Sequence, residues 1–368
     1  MRASETAGFM AMKGAGYYSK ATTGARDVIN EAAPLILSAI DRMNLANDPG
    51  TSFRSADIGC ADGGTSVGMW SRVLGHVRAL VPERPIEMFY CDLPRNDFSQ
   101  VFRMIHGQTD VQSYYGQIPD VYPFASGTSF HQAIFPRESL NLAFSATASH
   151  YISKVPCNIS NHVHMVGAKG EERAAYEETG RVEWERLLTL RARELVKGGR
   201  LCYFNFGIDE QGRYLGHSGG VSMFDTFDKL WRGLADDGII SDAEYTATNF
   251  PQVYRTTDQF IAPLQDKSSP VYQAGLRLEH VESRHLVCPY AKAFAEHRDP
   301  VRFAHDYIPT LRSWAEPTFA AGLSQDRPAE ERAGILDEYF GRYEKLVAAA
   351  PEGHGMDYVH IHLICVKE

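Results

Sequence analysis

Apolar positions along the chain switch repeatedly between two periods. From 26 to 46, Val28, Ile29, Leu35, Ile36, Ile40 and Met43 recur near the spacing of one helix face. "FRSADIG" then closes up into a short apolar strand, and "TSVGMWSRVLGHVRALV" (65–81) returns to the helical period. "IEMFYCDL" (86–93) and "LNLAFSAT" (140–147) read as strands. "RVEWERLLTLRARELVKGG" reads as a strong helix closed by Gly198 and Gly199, feeding the strand "RLCYFNFG". "MDYVHIHLICV" (356–366) reads as a last strand. Strands alternating with helices predict an α/β fold, a mostly parallel sheet with helices on both faces. The stretch 208–349 breaks the rhythm with helices such as "VSMFDTFDKLWRGLADDG" and "VRFAHDYIPTLRSWAEPTF". It is read as an inserted α-helical cap, leaving 1–207 and 350–368 as the main α/β domain.

Composition narrows the function classes. The 368 residues carry a net charge of −9, which argues against a binder of nucleic acid, because phosphate contacts need a basic face. The same charge gives no reason to expect a membrane surface as partner, and no run of about 18 apolar residues predicts a span. "MRASETAGFMAMKGAG" lacks the apolar core of a secretory signal. Six scattered cysteines without a C-x-x-C are expected as buried free thiols in a reducing cytoplasm. His162/His164 and His360/His362 form two H-x-H pairs, but no third ligand stands at a sensible spacing, so no metal is expected.

The chemistry concentrates in "SADIGCADGGTS" (55–66). A strand, a glycine turn and a helix N-terminus make a nucleotide-type site, in which glycine lets a ligand approach the backbone. A dinucleotide fold would show G-x-G-x-x-G with a pyrophosphate on the helix. Here the run is Asp57-x-Gly59-x-x-x-Gly63-Gly64, with Asp62 inside it. Two carboxylates repel a pyrophosphate and suit a ligand with an ammonium group and no phosphate. S-adenosylmethionine is such a ligand. Asp92, at the end of the next strand, can accept both ribose hydroxyls. An NAD-dependent oxidoreductase needs the same acid and is a rival on that point, though the missing G-x-G-x-x-G counts against it.

With these residues in view, the chain resembles the SABATH family of S-adenosylmethionine-dependent methyltransferases, in the form of a bacterial or fungal-like member. "MKGAGYYSKA" (12–21), "ADIGCADGG", "CDLPRNDF" (91–98), "SGTSFHQAIFPRESLNLAFSATASHYISKVP" (126–156) and "AEP" (315–317) carry the resemblance. It implies a class I, Rossmann-like methyltransferase with a helical cap, and a homodimer. It implies that Asp57, Gly59, Cys60 and Asp62 line the cofactor pocket, that Asp92 holds the ribose, and that Leu93, Ser129 and Phe130 flank the adenine. Ser145 would sit near the sulfonium, and Lys13, Tyr18 and Ser19 would close the site. His150 and Tyr151 would position the substrate, and Met223, Phe224, Leu311, Trp314 and Tyr358 would line its pocket. Some relatives carry a magnesium through an Asp where this chain has Thr246 in "YTATNFPQ".

The expected acceptor is a small-molecule carboxylic acid. A carboxylic acid has a pKa of about 4 and arrives ionised, so its methylation needs positioning and desolvation but no general base. Neutral donors such as the Tyr151 hydroxyl and the His150 ring can hold it, and a polar His150 suggests a more polar acid than salicylate. The rivals are N-methylation of a heterocycle, O-methylation of a phenol with His150 as base, and a non-catalytic S-adenosylmethionine-binding protein.

Overall fold

A computed structural model describes residues 23–47 and 51–368. In chain order the first half runs α1 (Thr23–Asp41), β1 (Phe53–Ile58), α2 (Val67–Leu80), β2 (Ile86–Asp92), α3 (Phe98–Ile105), β3 (Val121–Gly127), β4 (Leu140–Ala146), α4 (Gly170–Glu194) and β5 (Leu195–Ile208). The second half runs α5 (Met223–Asp236), α6 (Asp242–Ala247), β6 (Arg255–Thr256), α7 (Thr257–Gln265), α8 (Pro270–Gln273), β7 (Leu276–Leu286), α9 (Pro289–His297), α10 (Pro300–Gly322), α11 (Ala329–Ala349) and β8 (Tyr358–Lys367).

The strands form one sheet in the order β3-β2-β1-β4-β5-β8-β7, with β6 beside the end of β5. β8 runs antiparallel to both of its neighbours and the remaining pairings are parallel. Every residue of β4 is buried, as a parallel strand covered on both faces requires. Ile36, Trp70, Phe144 and Phe204 pack on one face, and Trp184, Leu188, Tyr203 and Leu363 on the other. The order reverses between β1 and β4, which opens a crevice at their carboxyl ends. A third core of Phe227, Trp231, Phe250, Phe319 and Tyr339 holds the cap over that crevice. Among the described residues no helix is long and apolar enough to cross a membrane.

Two boundaries differ from the sequence reading. The helix read as ending at Gly198–Gly199 starts earlier and stops at Glu194. The carbonyls of Arg193 and Glu194 are taken by the N–H groups of Glu138 and Ser139, and the chain leaves the helix there to pair Leu195 with Leu140. The span 208–349 is also not all cap, because β7 inside it is a strand of the main sheet. Phe260 and Leu264 of α7 and Val271 of α8 share the core of Trp184, so they too belong to the sheet layer. β7 is an edge strand with intermediate exposure along most of its length, so its apolar pattern is weak.

Candidate functional site

β1 delivers the chain into the glycine turn, and backbone contacts fix that turn. The N–H groups of Gly59 and Cys60 both reach the carbonyl of Cys91 at the end of β2, at 2.8 and 3.2 Å. Gly59 has φ +86°, and a Cβ there would stand 2.5 Å from the Cβ of Ala148, so only glycine fits between β1 and the segment after β4. Ala61 also has a positive φ, of 48°, and is held there from both sides. Its N–H donates to Asp92 Oδ2 at 2.8 Å, and its carbonyl accepts from Asn96 Nδ2 at 2.8 Å. Asp92 Oδ1 accepts from the N–H of Leu93 at 2.7 Å. Burial raises the Asp92 pKa, while its bonds to Leu93 and Ala61 work in the other direction.

Asp57 is almost fully buried and, among the described residues, has no basic partner. Its Oδ2 accepts from Ser66 Oγ at 2.5 Å and from Trp70 Nε1 at 3.0 Å, which latches β1 to α2. Burial pushes its pKa up to about 6, against the lowering effect of those two bonds. Asp57, Asp62, Asp92 and Leu93 line a cavity of about 270 Å³, closed on the far side by Ser129 and Phe130. Four acids, Asp57, Asp62, Asp92 and Asp97, against one arginine, Arg95, with a glycine turn and an apolar slot, fit an adenosine bearing cationic groups better than a pyrophosphate.

The loop that carries Ser129 and Phe130 is pinned from α4. Arg191 and Glu194 are buried and paired at 2.7 Å. Arg191 also donates to the carbonyls of Phe130 and Gln132, at 3.1 and 2.8 Å, and Glu194 Oε1 accepts from the N–H of Ile134 at 2.7 Å. Arg191→Met leaves Glu194 buried without its cation, so the expected loss of folding stability is about 3–5 kcal/mol, measured by urea denaturation. Unchanged stability would mean that the loop holds its place without the pair.

A second, smaller chamber of about 30 Å³ opens beside the first. Thr147 and Tyr151 line both, so the two spaces meet there. Thr147 has φ +52°, unusual for a β-branched residue, and such strain concentrates at functional sites. The segment after it is tied to the strand-like stretch before β6: Ile152 N–H donates to Pro251 O at 2.9 Å, and Val253 N–H to His150 O at 2.8 Å. This pairing brings Gln252 and Tyr254 into the chamber with His150, Trp314 and Tyr358. His150 is 3% exposed, and its ring lies 4.5 Å from that of Tyr151 and 5.0 Å from that of Phe206. Burial, and then the charge of Arg255, push the His150 pKa down to about 3, so the ring is neutral.

Asp57, Gly59, Cys60, Asp62, Asp92, Leu93, Ser129 and Phe130 thus come together around the larger cavity. His150, Tyr151, Trp314 and Tyr358 gather around the smaller one. Ser145 lines neither; Phe144 and Ala146 face the cavity, and strand alternation turns Ser145 to the other side of β4. Met223, Phe224 and Leu311 also line neither and are buried in the cap core. Lys13, Tyr18 and Ser19 lie outside the described residues. Ala25, Phe206, Leu215, Gln252, Tyr254 and Met356 also line the smaller chamber and are not among the residues the sequence reading names. The alternation of "RLCYFNFG" was a usable signal for Phe206; Gln252 and Tyr254 depend on a pairing that only the fold creates.

Comparison with known proteins places the chain among carboxyl methyltransferases. Gibberellic acid methyltransferase 2 of Arabidopsis thaliana is 25% identical over 92% of this chain and 86% of its own length. Loganic acid O-methyltransferase of Catharanthus roseus is 25% identical over 66% of this chain and 67% of its own. A solved loganic acid methyltransferase with S-adenosylhomocysteine superposes with a TM-score of 0.73, covering 98% of both chains at 19% identity. The named relatives are plant enzymes, so the expected bacterial or fungal-like cast gains no support from them. Residues 7–368 match the family described as SAM dependent carboxyl methyltransferase, and with the acid-lined glycine turn opening onto a chamber of neutral donors, the chain belongs to that family.

Proposed function

We propose that this enzyme esterifies a small, polar carboxylic acid, with the acid seated in the chamber of His150, Tyr151 and Gln252 and the cofactor in the acid-lined cavity. The observation that carries the reading is the meeting of the two cavities at Thr147 and Tyr151. S-adenosylmethionine supplies an activated methyl group when bound. Asp92 would hold the ribose hydroxyls, Leu93 and Phe130 would line the adenine's place, and Asp57 and Asp62 would offer carboxylates to the cationic end. Tyr151 and His150 orient the carboxylate with neutral hydrogen bonds, which leave a lone pair free for the methyl carbon. Apolar walls strip water from it.

One feature supports a carboxylate in particular. A base with a pKa of about 3 is poorly matched to the proton of a phenol, so His150 suits an acceptor that arrives already ionised. A homodimer, implied by the resemblance, belongs to the same reading. So does a cytosolic setting, supported by six cysteines that are all free thiols.

The test uses methyl-labelled S-adenosylmethionine and a panel of aromatic, terpenoid and small dicarboxylic or hydroxy acids. Label transferred to an acid and released as methanol in mild base is the expected result. Base-stable label would replace this reading with N- or phenol O-methylation, and no transfer with intact cofactor binding would end it.

A further inference from the structure

Arg255, in β6, is 4% exposed, follows Tyr254 of the chamber in sequence, and its charge acts on the His150 ring. Its Nη2 donates to the carbonyl of Gly180 at 2.7 Å and its Nη1 to that of Ser149 at 3.4 Å. The rings of Trp184 and Phe260 cover it, their centroids 5.4 and 5.8 Å from Cζ. Its Nε is buried with no partner. Among the described residues no carboxylate forms an ion pair with it. The acid that acts on it, Glu183, is engaged by the N–H and hydroxyl of Ser153, at 2.9 and 2.5 Å. The group remains a cation, its pKa lowered by burial only to about 10.

Among the described residues, Glu183 acts on this buried cation only through its field, and no paired anion balances it. The neighbouring chamber is where an anion comes and goes. A guanidinium in direct contact would tie up the carboxylate's lone pairs and repel a sulfonium. Set one layer back, it attracts the anion and leaves the nucleophile free. We infer that Arg255 is a positioning residue for the acceptor, giving the chamber a positive potential that selects an ionised carboxylate over a neutral group of the same shape. This rests on the reading of the chamber as a carboxylate site.

The test pairs each acid methylated in the panel with its own primary amide, used as a competitive inhibitor. Arg255→Gln and Arg255→Met remove the charge, and the methionine keeps apolar packing between the two rings. Arg255→Lys keeps the charge. Removing the charge is expected to raise KM for the acid about 10-fold or more, with kcat changing less and the amide Ki staying within about 3-fold. Arg255→Lys retains the preference for the acid. Calorimetry shows S-adenosylmethionine binding preserved in all variants. Equal losses for acid and amide, an unchanged KM, or loss of cofactor binding in both uncharged variants would make Arg255 purely structural and overturn the inference. A panel in which no acid is methylated removes the underlying reading before any variant is made.

Discussion

Asp92→Ala weakens S-adenosylmethionine binding by about 100-fold or more, read by titration calorimetry. The carboxylate has two tasks. Its oxygens accept the N–H groups of Ala61 and Leu93, which hold the glycine turn against the end of β2. It also lines the cavity where a ribose would offer two hydroxyls. Alanine leaves both N–H groups without acceptors, at about 1–3 kcal/mol each, and removes charge-assisted bonds to the sugar worth about 1.5–3 kcal/mol each. Only about 2.7 kcal/mol is needed for a 100-fold change. The turn amplifies the loss, because Ala61 keeps its positive φ only while Asp92 and Asn96 hold it. Asp92→Asn keeps one acceptor oxygen and cannot serve both N–H groups, so an intermediate loss is expected. Near-normal affinity in the alanine variant would mean that the ribose binds elsewhere.

The half of the candidate site around the larger cavity was legible in the sequence because it is local. The end of β1, the glycines and the start of α2 lie within a dozen residues, and glycine and aspartate have few other reasons to alternate there. Asp92 was legible for a similar reason, standing at a strand end one α/β unit later. The acceptor half was legible only in part. His150, Tyr151 and Trp314 were picked out, yet Met223, Phe224 and Leu311 turned out to be cap core. An aromatic or apolar side chain on an amphipathic helix looks the same whether it faces a cavity or a neighbouring helix. Phe224 stacks on His164 at 3.8 Å, a contact that no spacing rule contains. Gln252 and Tyr254 escaped notice because their place depends on the long-range pairing of 150–152 with 251–253. Strand parity in β4 sets Ser145 opposite Phe144 and Ala146, which line the cavity.

The second large effect is a loss of folding stability in mild acid. His150, His164, His360 and His362 are all buried, and each has its pKa lowered, chiefly by burial. Secondary causes differ: Arg255 acts on His150, His162 on His164, and His362 on His360, while Glu282 partly opposes the shift at His362. His150 falls to about 3 and His362 to about 4. The unfolded chain takes up protons on these rings below about pH 6.5 and the folded chain does not, so stability is full above that pH and falls as pH drops toward the folded values. At pH 5 His150 and His362 each withdraw about 2 kcal/mol, and His164 and His360 add to this with the same sign. Asp57 works the other way. With a folded pKa raised to about 6, it takes up its proton first in the folded state and returns about 1.4 kcal/mol at pH 5. The sum is a large share of an ordinary domain's 5–15 kcal/mol. Urea denaturation is therefore expected to show a markedly lower midpoint at pH 5 than at pH 7.5, and His362→Gln should flatten that slope. Equal midpoints would mean that the rings are hydrated and not buried neutral. The same argument fixes the activity profile. His150, neutral throughout, supplies no proton transfer between pH 6.5 and 9, so kcat/KM is expected to be flat there, and its acid limb combines the protonation of Asp57 at about 6 with unfolding. Cofactor at about 100 times its Kd adds about 2.7 kcal/mol to the folded state and moves the unfolding part of that limb to lower pH. A limb that stays in place above the Asp57 range as cofactor is raised would mark an essential titrating base, which methylation of a carboxylate does not need.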